Sequence, residues 1–500
     1  MLERVRQVEW DRHGHYRSAI LPSDYARHMG RKDFEREGIE LEVTRLLKVN
    51  KDHCLDPEEK ERITRAFYER IRREPAYLAE YFRRYQRDNE SLLAYSLEVS
   101  RKSTEGLSNE ELAGVLAGWF ERLTSTGHWL WSLEFLNPAL DRLLHEELAK
   151  LMPREKHAYI DETIAHLLWS ERELPHQEEE RALAELALEI QSTGGSSPYL
   201  EAPPAVLARG VRKLPLGDRI EGHWREWGWR NMYIVSGSPH TLEHFLDRIQ
   251  QLLREGPESR LAQLRQAREA SLRAREEHAE LLEGREHLAR FVADARDLAW
   301  LKTYRIDVYT LCCYRVRHLL EEAARRTGLT YDELTMLLPE EISEDLRRGR
   351  RHKRSLAERE RHAFLLWDGE VTHVFGEDVK AVERAAFPPL EARDELTGVT
   401  AYPGRVRGPA RVVPTDEDIH KVRPGDILIA HMTNPNYTPV FSKIRGIVTE
   451  EGGVLSHSAV IARELKLPCV IATKTAMSVF KDGELIEVDA DRGIVRRLAS

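Results

Sequence analysis

Apolar residues recur at helical spacing over roughly the first 340 positions of this 500-residue chain, and at strand spacing over roughly the last hundred. Glu58 to Arg73 and Pro75 to Asn89 read as charged amphipathic helices, and Ser108-Asn-Glu-Glu opens another with a reciprocal serine–glutamate cap. Trp119, Phe120, Leu123, His128, Trp129, Trp131 and Leu133 then form an aromatic-rich stretch. Asn137-Pro138 punctuates it, and Leu140, Leu143 and Leu144 continue on one face. Aromatics at helical spacing are most simply core; a pocket between facing helices is the alternative. Thr241 is a candidate N-cap for a helix that ends at Gly256-Pro257. From Glu258 to Thr310 the chain reads as long helix with a weak point near Gly284. Its leucines hold no strict heptad, which predicts packed antiparallel helices and not a coiled-coil dimer.

Punctuation divides the chain. Ser192-Thr-Gly-Gly-Ser-Ser-Pro198 marks a candidate sub-boundary near 192–200. Residues 363–377 read as a hairpin turning at Asp368-Gly369, and residues 381–396, with Pro388-Pro389, as a linker. Short strands follow at Arg405 to Val413, Asp426 to Ala430, Gly446 to Thr449, Cys469 to Thr473 and Glu484 to Val488. The expected architecture is a large, mostly α-helical N-terminal domain over 1–380 and a β-rich α/β domain over 397–500.

Charge and composition narrow the classes. With 41% apolar and 32% charged residues, this reads as an ordinary soluble protein. The formal net charge is −9; from Leu396 onward 14 basic and 12 acidic residues leave the remainder at about −11. An acidic chain argues against non-specific nucleic-acid binding. No apolar run approaches a signal-peptide core or a membrane span. Cys54, Cys312, Cys313 and Cys469 have neither CxxC nor zinc spacing, so no metal site is expected and a reducing cytoplasm fits. The basic run Arg347 to Arg354 reads as a solvated helix end or a docking patch.

Candidate chemistry concentrates in Thr449-Glu450-Glu451-Gly452-Gly453-Val454-Leu455-Ser456-His457-Ser458-Ala459. A strand end, Ile447-Val448, meets two glycines that permit a tight turn, and Ser456 then caps a helix that Pro468 stops. His457 falls where the loop becomes the first helical turn. There, free N–H groups and the helix dipole converge on an anion. An imidazole so placed can act as a nucleophile and hold a phosphoryl group. A glycine turn with an incidental histidine is the plain alternative.

The run from Thr449 through Gly452-Gly453, Ser456-His457-Ser458-Ala459, Ala462-Arg463-Glu464-Leu465 and Pro468-Cys469-Val470 resembles the mobile, swivelling phosphohistidine domain of phosphoenolpyruvate-utilising enzymes. That family includes phosphoenolpyruvate synthase, pyruvate phosphate dikinase and rifampicin phosphotransferase. The resemblance covers about the last hundred residues, with Leu455 and Ser458 as small departures. It implies that His457 carries the phosphate and that Thr449, Gly452, Gly453 and Ser456 hold it. A weaker likeness attaches to Gly222-His223-Trp224-Arg225-Glu226-Trp227-Gly228-Trp229, making His223 a candidate acceptor-site residue; a histidine hydrogen-bonded in the core is the alternative. Lys302 and Arg305, at i and i+3 on one predicted helix, are candidates for offsetting phosphate charge, with surface ion pairs as the alternative.

Dikinase-type members carry an ATP-grasp domain and synthases a phosphoenolpyruvate barrel, and neither has a counterpart in the helix-plus-mobile-domain pattern here. The resemblance therefore implies ATP and Mg²⁺ on an ATP-grasp partner in trans, with no cofactor held by this chain. The acceptor is expected to be a small hydroxyl compound in the helical domain, with no nucleic acid or membrane involved. The expected function is a phosphotransferase subunit. The alternative is a non-catalytic phosphocarrier or regulatory module that binds a protein.

Overall fold

The computed structural model describes residues 1–15, 43–50, 52–349, 359, 361–387, 394–414, 416–433, 437–453 and 456–498. The chain divides into two compact units: Met1–Tyr16, Thr44–Glu59 and Arg361–Ser500 form one, and Arg17–Val43 with Lys60–Glu360 the other.

The second unit is helical. The Ser108 hydroxyl accepts from the Glu111 N–H at 3.2 Å while the Glu111 carboxylate accepts from the Ser108 N–H at 2.8 Å, which starts helix Asn109–Ser125 as predicted. The aromatic stretch is core. Trp119 and Trp129 are buried, and Tyr81 and Tyr85 meet the Trp129 ring edge-on at 5.1 and 4.9 Å. The side chains of His128 and Trp131 lie outside the described set. Helix His128–Leu151 runs through Pro138, against the predicted punctuation. An interior proline costs about 3 kcal/mol, but Phe135, Leu136, Ala139 and Leu140 are buried on either side of it and offset that cost. The weak point near Gly284 is a true break. Helix Pro257–Ala279 ends before it, Gly284 takes φ +69°, and helix Glu286–Thr327 runs 42 residues beyond. At 192–200 the chain caps helix Pro175–Ser192, and Ile190 and Tyr199 on either side share one core with Phe245.

In the first unit, the predicted hairpin is present as β4 (His362–Trp367) and β5 (Glu370–Phe375), with Asp368 and Gly369 both at positive φ. Three strands from the N-terminal stretch join it: β1 (Asp11–His15), β2 (Arg45–Val49) and β3 (Asp52–Leu55), in the order β1-β3-β2-β4-β5. Pattern reading gave that stretch to helix. The reason is burial: Leu46 to Val49 are covered on both faces, so no alternation marks them as strand. One face packs Leu47, Val49, Cys54 and Leu365 against Val379 and Val382. Those two valines sit on helix Val379–Ala386, so the stretch expected as linker over 381–396 begins inside a helix. Of the connection, 388–393 lie outside the described residues, as do 350–354 of the basic run.

The C-terminal sheet has eight strands: β6 (Glu395–Thr397), β7 (Val399–Tyr402), β8 (Arg405–Val413), β9 (Ile427–Ala430), β10 (Gly446–Thr449), β11 (Cys469–Ile471), β12 (Leu485–Asp489) and β13 (Ile494–Arg497). Their order is β6-β13-β12-β8-β9-β10-β11-β7, with β8 to β11 parallel. Along β9, Ile427 and Ile429 enter one core and Leu428 and Ala430 the other, as a parallel strand covered on both faces should. The first and last strands of the order are separated in the chain by Gly398 alone, so one bent segment pairs with β13 and then with β11. The bend needs glycine: a Cβ on Gly398 would lie 2.4 Å from the Ile471 carbonyl oxygen.

Candidate functional site

The glycine loop joins β10 to helix His457–Leu465, at the carboxyl end of the parallel strands, where open α/β sheets bind ligands. Backbone pairing continues past the strands. The Glu450 and Glu451 N–H groups donate to Ala430 and His431 carbonyls at 3.1 and 3.0 Å, and those of Thr473 and Lys474 donate to Thr449 and Glu450 carbonyls at 3.1 and 2.9 Å. The loop thus leaves a rigid base. Gly452 takes φ +134°, and a Cβ there would lie 2.9 Å from the Ser456 hydroxyl and 3.6 Å from that of Thr449. Ser456 donates its N–H to the Gly453 carbonyl at 2.8 Å and caps the helix by accepting from Ala459.

Thr449, Gly452, Gly453, Ser456 and the His457 backbone are therefore one compact turn. The side chain of His457, with residues 454–455, lies outside the described set. Thr449 is buried, its hydroxyl donating to the Glu451 carbonyl at 2.6 Å. Ser458 is buried too and shares a 2.8 Å hydrogen bond with Thr433, so the serine in the departing position anchors the helix start.

Under this turn lies a charged network that pattern reading missed. His431 is 3% exposed, with its ring nitrogens 3.2 Å from the Glu450 carboxylate and 3.6 Å from that of Glu451. Glu450 also accepts from the Met477 N–H at 2.8 Å. Burial opposes a charged imidazole, yet the Glu450 hydrogen bond and the charges of Glu451, Glu450 and Asp52 outweigh it, and the His431 pKa is raised. A signal existed: His431, Glu450 and Thr473 each stand just past an apolar strand, and parallel strands bring such positions to one edge.

The helical candidates sit in different surroundings. Lys302 is exposed, whereas Arg305 is buried and ion-paired with Glu134, so the two do not share an environment despite their spacing. His223 is buried, with Nε2 3.2 Å from the Glu179 carboxylate. No described helix is long and apolar enough to cross a membrane.

Residues 422–493 match the family described as PEP-utilising enzyme, mobile domain. The C-terminal domain belongs to that family. A probable phosphoenolpyruvate synthase of Archaeoglobus fulgidus is 40% identical over 116 residues, covering 23% of this chain and 15% of its own. Phosphoenolpyruvate synthase of Pyrococcus furiosus is 44% identical over 105 residues, 21% of this chain and 13% of its own. An uncharacterized phosphotransferase of Bacillus subtilis, YvkC, is 35% identical over 121 residues, 23% of this chain and 15% of its own. The chain spans no more than 15% of the length of these three relatives. What is similar is the mobile domain.

Proposed function

We propose that this chain is a phosphotransferase subunit. His457 carries a phosphoryl group from a nucleotide-binding partner to a hydroxyl acceptor held by the helical unit. One observation carries the reading: in a domain of the PEP-utilising mobile type, His457 is the first residue of a helix behind the Gly452-Gly453 turn. Helical N–H groups and the positive dipole end there offset the charge of a phosphoryl group. In loading, an imidazole nitrogen attacks phosphorus, an N–P bond forms and the donor's P–O bond breaks. ATP and Mg²⁺ are proposed to sit on an ATP-grasp partner in trans. Thr449 and Ser456 stiffen the turn, and Gly452 and Gly453 admit the phosphoryl oxygens. Lys302, exposed, is proposed to offset charge in transit, whereas Arg305 is ion-paired with Glu134.

The test is incorporation of label from ATP into this chain in native cell extract, comparing wild type with His457→Ala. Acid-labile, base-stable label that vanishes in the variant is the expected result, and the donor can then be purified. An unlabelled wild type, with ATP and phosphoenolpyruvate both tried, overturns the reading.

A further inference from the structure

We infer that His431 is a positioning residue for the phosphoryl site: clasped as an imidazolium between Glu450 and Glu451, it cancels carboxylate charge that would otherwise repel a phosphoryl group carried at the turn. This rests on the phosphotransfer reading above and adds a charge-balancing group to the same site.

Glu450 and Glu451 immediately precede the glycine pair proposed to admit the phosphoryl oxygens. A phosphoryl group adds about two negative charges at neutral pH. Glu450 is buried and Glu451 partly so, and like charges so placed repel with little screening by salt. Two carboxylates next to an anion site therefore need a counter-charge.

The fold brings that counter-charge from the neighbouring strand. β9 and β10 run parallel with Ala430 opposite Thr449, and the Glu451 N–H on the His431 carbonyl extends the register past both strand ends. The residues after β9 then grip the turn at its two ends. His431 reaches Glu450 and Glu451 where the strand becomes loop. The Thr433 hydroxyl shares a hydrogen bond with that of Ser458 where the loop becomes helix. A side chain that holds both carboxylates thus also fixes where the glycine pair starts.

The two contacts differ. One Glu450 oxygen accepts from the Met477 N–H at 2.8 Å and the other lies 3.2 Å from His431 Nδ1, so this carboxylate is fixed from both sides. Glu451 meets Nε2 at 3.6 Å, too long for a directed hydrogen bond, and its side chain is 21% exposed. An imidazole with a carboxylate at each nitrogen is favoured in its protonated form. Burial opposes that form, and Glu450, Glu451 and Asp52, the first residue of β3, outweigh it. All three are carboxylates, so the His431 proton keeps them from adding their full charge to that of a phosphoryl group. His431 makes and breaks no bond in this role; it acts through Glu450 and Glu451.

The experiment loads the full chain at His457 chemically with phosphoramidate, which needs no partner, and follows phosphohistidine by ³¹P NMR from about pH 6 to about pH 9. The reagent titrates alike in every sample, so the readout is each variant's rate relative to wild type at the same pH. His431→Gln should load about tenfold slower than wild type at the acid end, the order expected for one unit charge in a partly buried site. The deficit should close as pH rises through the raised His431 pKa and wild type loses the same charge. Adding Glu451→Gln, on the more exposed carboxylate, should bring His431→Gln back to within about threefold of wild type. A merely structural role gives a deficit that is constant with pH and not rescued, and either result overturns the inference. Should denaturant melts show His431→Gln unfolded, Glu451→Gln alone decides: loading faster than wild type at the alkaline end supports the charge role, and equal or slower loading rejects it. A wild type that loads at no pH sinks the carrier reading instead. Binding of inorganic phosphate, read from its ³¹P line width, then tests the inference: weakening by His431→Gln with recovery on adding Glu451→Gln supports it, and unaltered binding rejects it.

Discussion

The mobile domain and the helical unit build their polar clusters in opposite ways. In the mobile domain the turn is written in consecutive residues, Thr449 to His457, and is fixed by backbone: a positive φ at Gly452, a serine cap and main-chain bonds to neighbouring strand ends. In the helical unit the Glu179–His223 cluster is assembled by side chains from three helices, with Glu179 and Arg248 separated by 69 positions. Nothing in the local pattern at any one of them announces the others. A turn fixed by backbone geometry is conspicuous in sequence; a cluster made by converging side chains needs the fold.

The widest separation between the two modes should come from the paired glycines. Gly452→Ala forces a Cβ to 2.9 Å from the Ser456 hydroxyl at φ +134°, whereas a Cβ on Gly453 meets nothing within 4 Å. Displacing a reacting group by about 1 Å can cost about 100-fold. Loading of His457 should therefore fall by about 100-fold in Gly452→Ala, where the turn itself is forced, and by less in Gly453→Ala, where a Cβ meets no protein atom and only crowds the phosphoryl group, measured with phosphoramidate. Equal effects would mean that side chains, and not backbone, set the turn.

A smaller effect tests whether side chains also brace the mobile domain. The His431 pKa is raised above its ordinary 6.5, chiefly against the opposing effect of burial, by Glu450 and Glu451. Its stabilisation is thus complete below about 6.5 and lost as pH rises through the raised value. A charge-assisted hydrogen bond is worth about 1.5 kcal/mol. Denaturant melts of the wild type should lose about that much stability across this window, and His431→Gln should flatten the slope. A slope that survives in the variant assigns it elsewhere.

The smallest effect belongs to the helical unit. His145 Nε2 lies 2.6 Å from Asp161 and joins helix His128–Leu151 to helix Ile160–Leu167. The hydrogen bond with Asp161, against burial, raises its pKa to about 9. The pair is partly exposed and worth at most about 1 kcal/mol, present below pH 6.5 and lost as pH passes 9. His145→Gln should remove that increment and leave His457 loading untouched. A loading defect would show that the helical unit acts on the turn.

How much was legible follows the same division. The Ser108 cap, the Asp368-Gly369 turn, the break at Gly284, the strands β8 to β12 and the Ser456 cap all appear, because each rests on a residue with a local conformational reason. Strands β1 to β3 did not show themselves: β2 pairs with β4, more than 300 positions away, and its burial on both faces erased the alternation. The environment of Arg305 was equally hidden, since Glu134 comes from another helix. Pro138 misled because propensity is a weak prior against tertiary packing.

The bend at Gly398 bears on how the proposed carrier would meet its neighbours. An ordinary open sheet ends in full-length strands whose unpaired backbone can recruit a stranger's strand. Here the loose ends are halves of one segment, three and four residues long. Such a body can be handed from one neighbour to the next, and let go, without growing onto either.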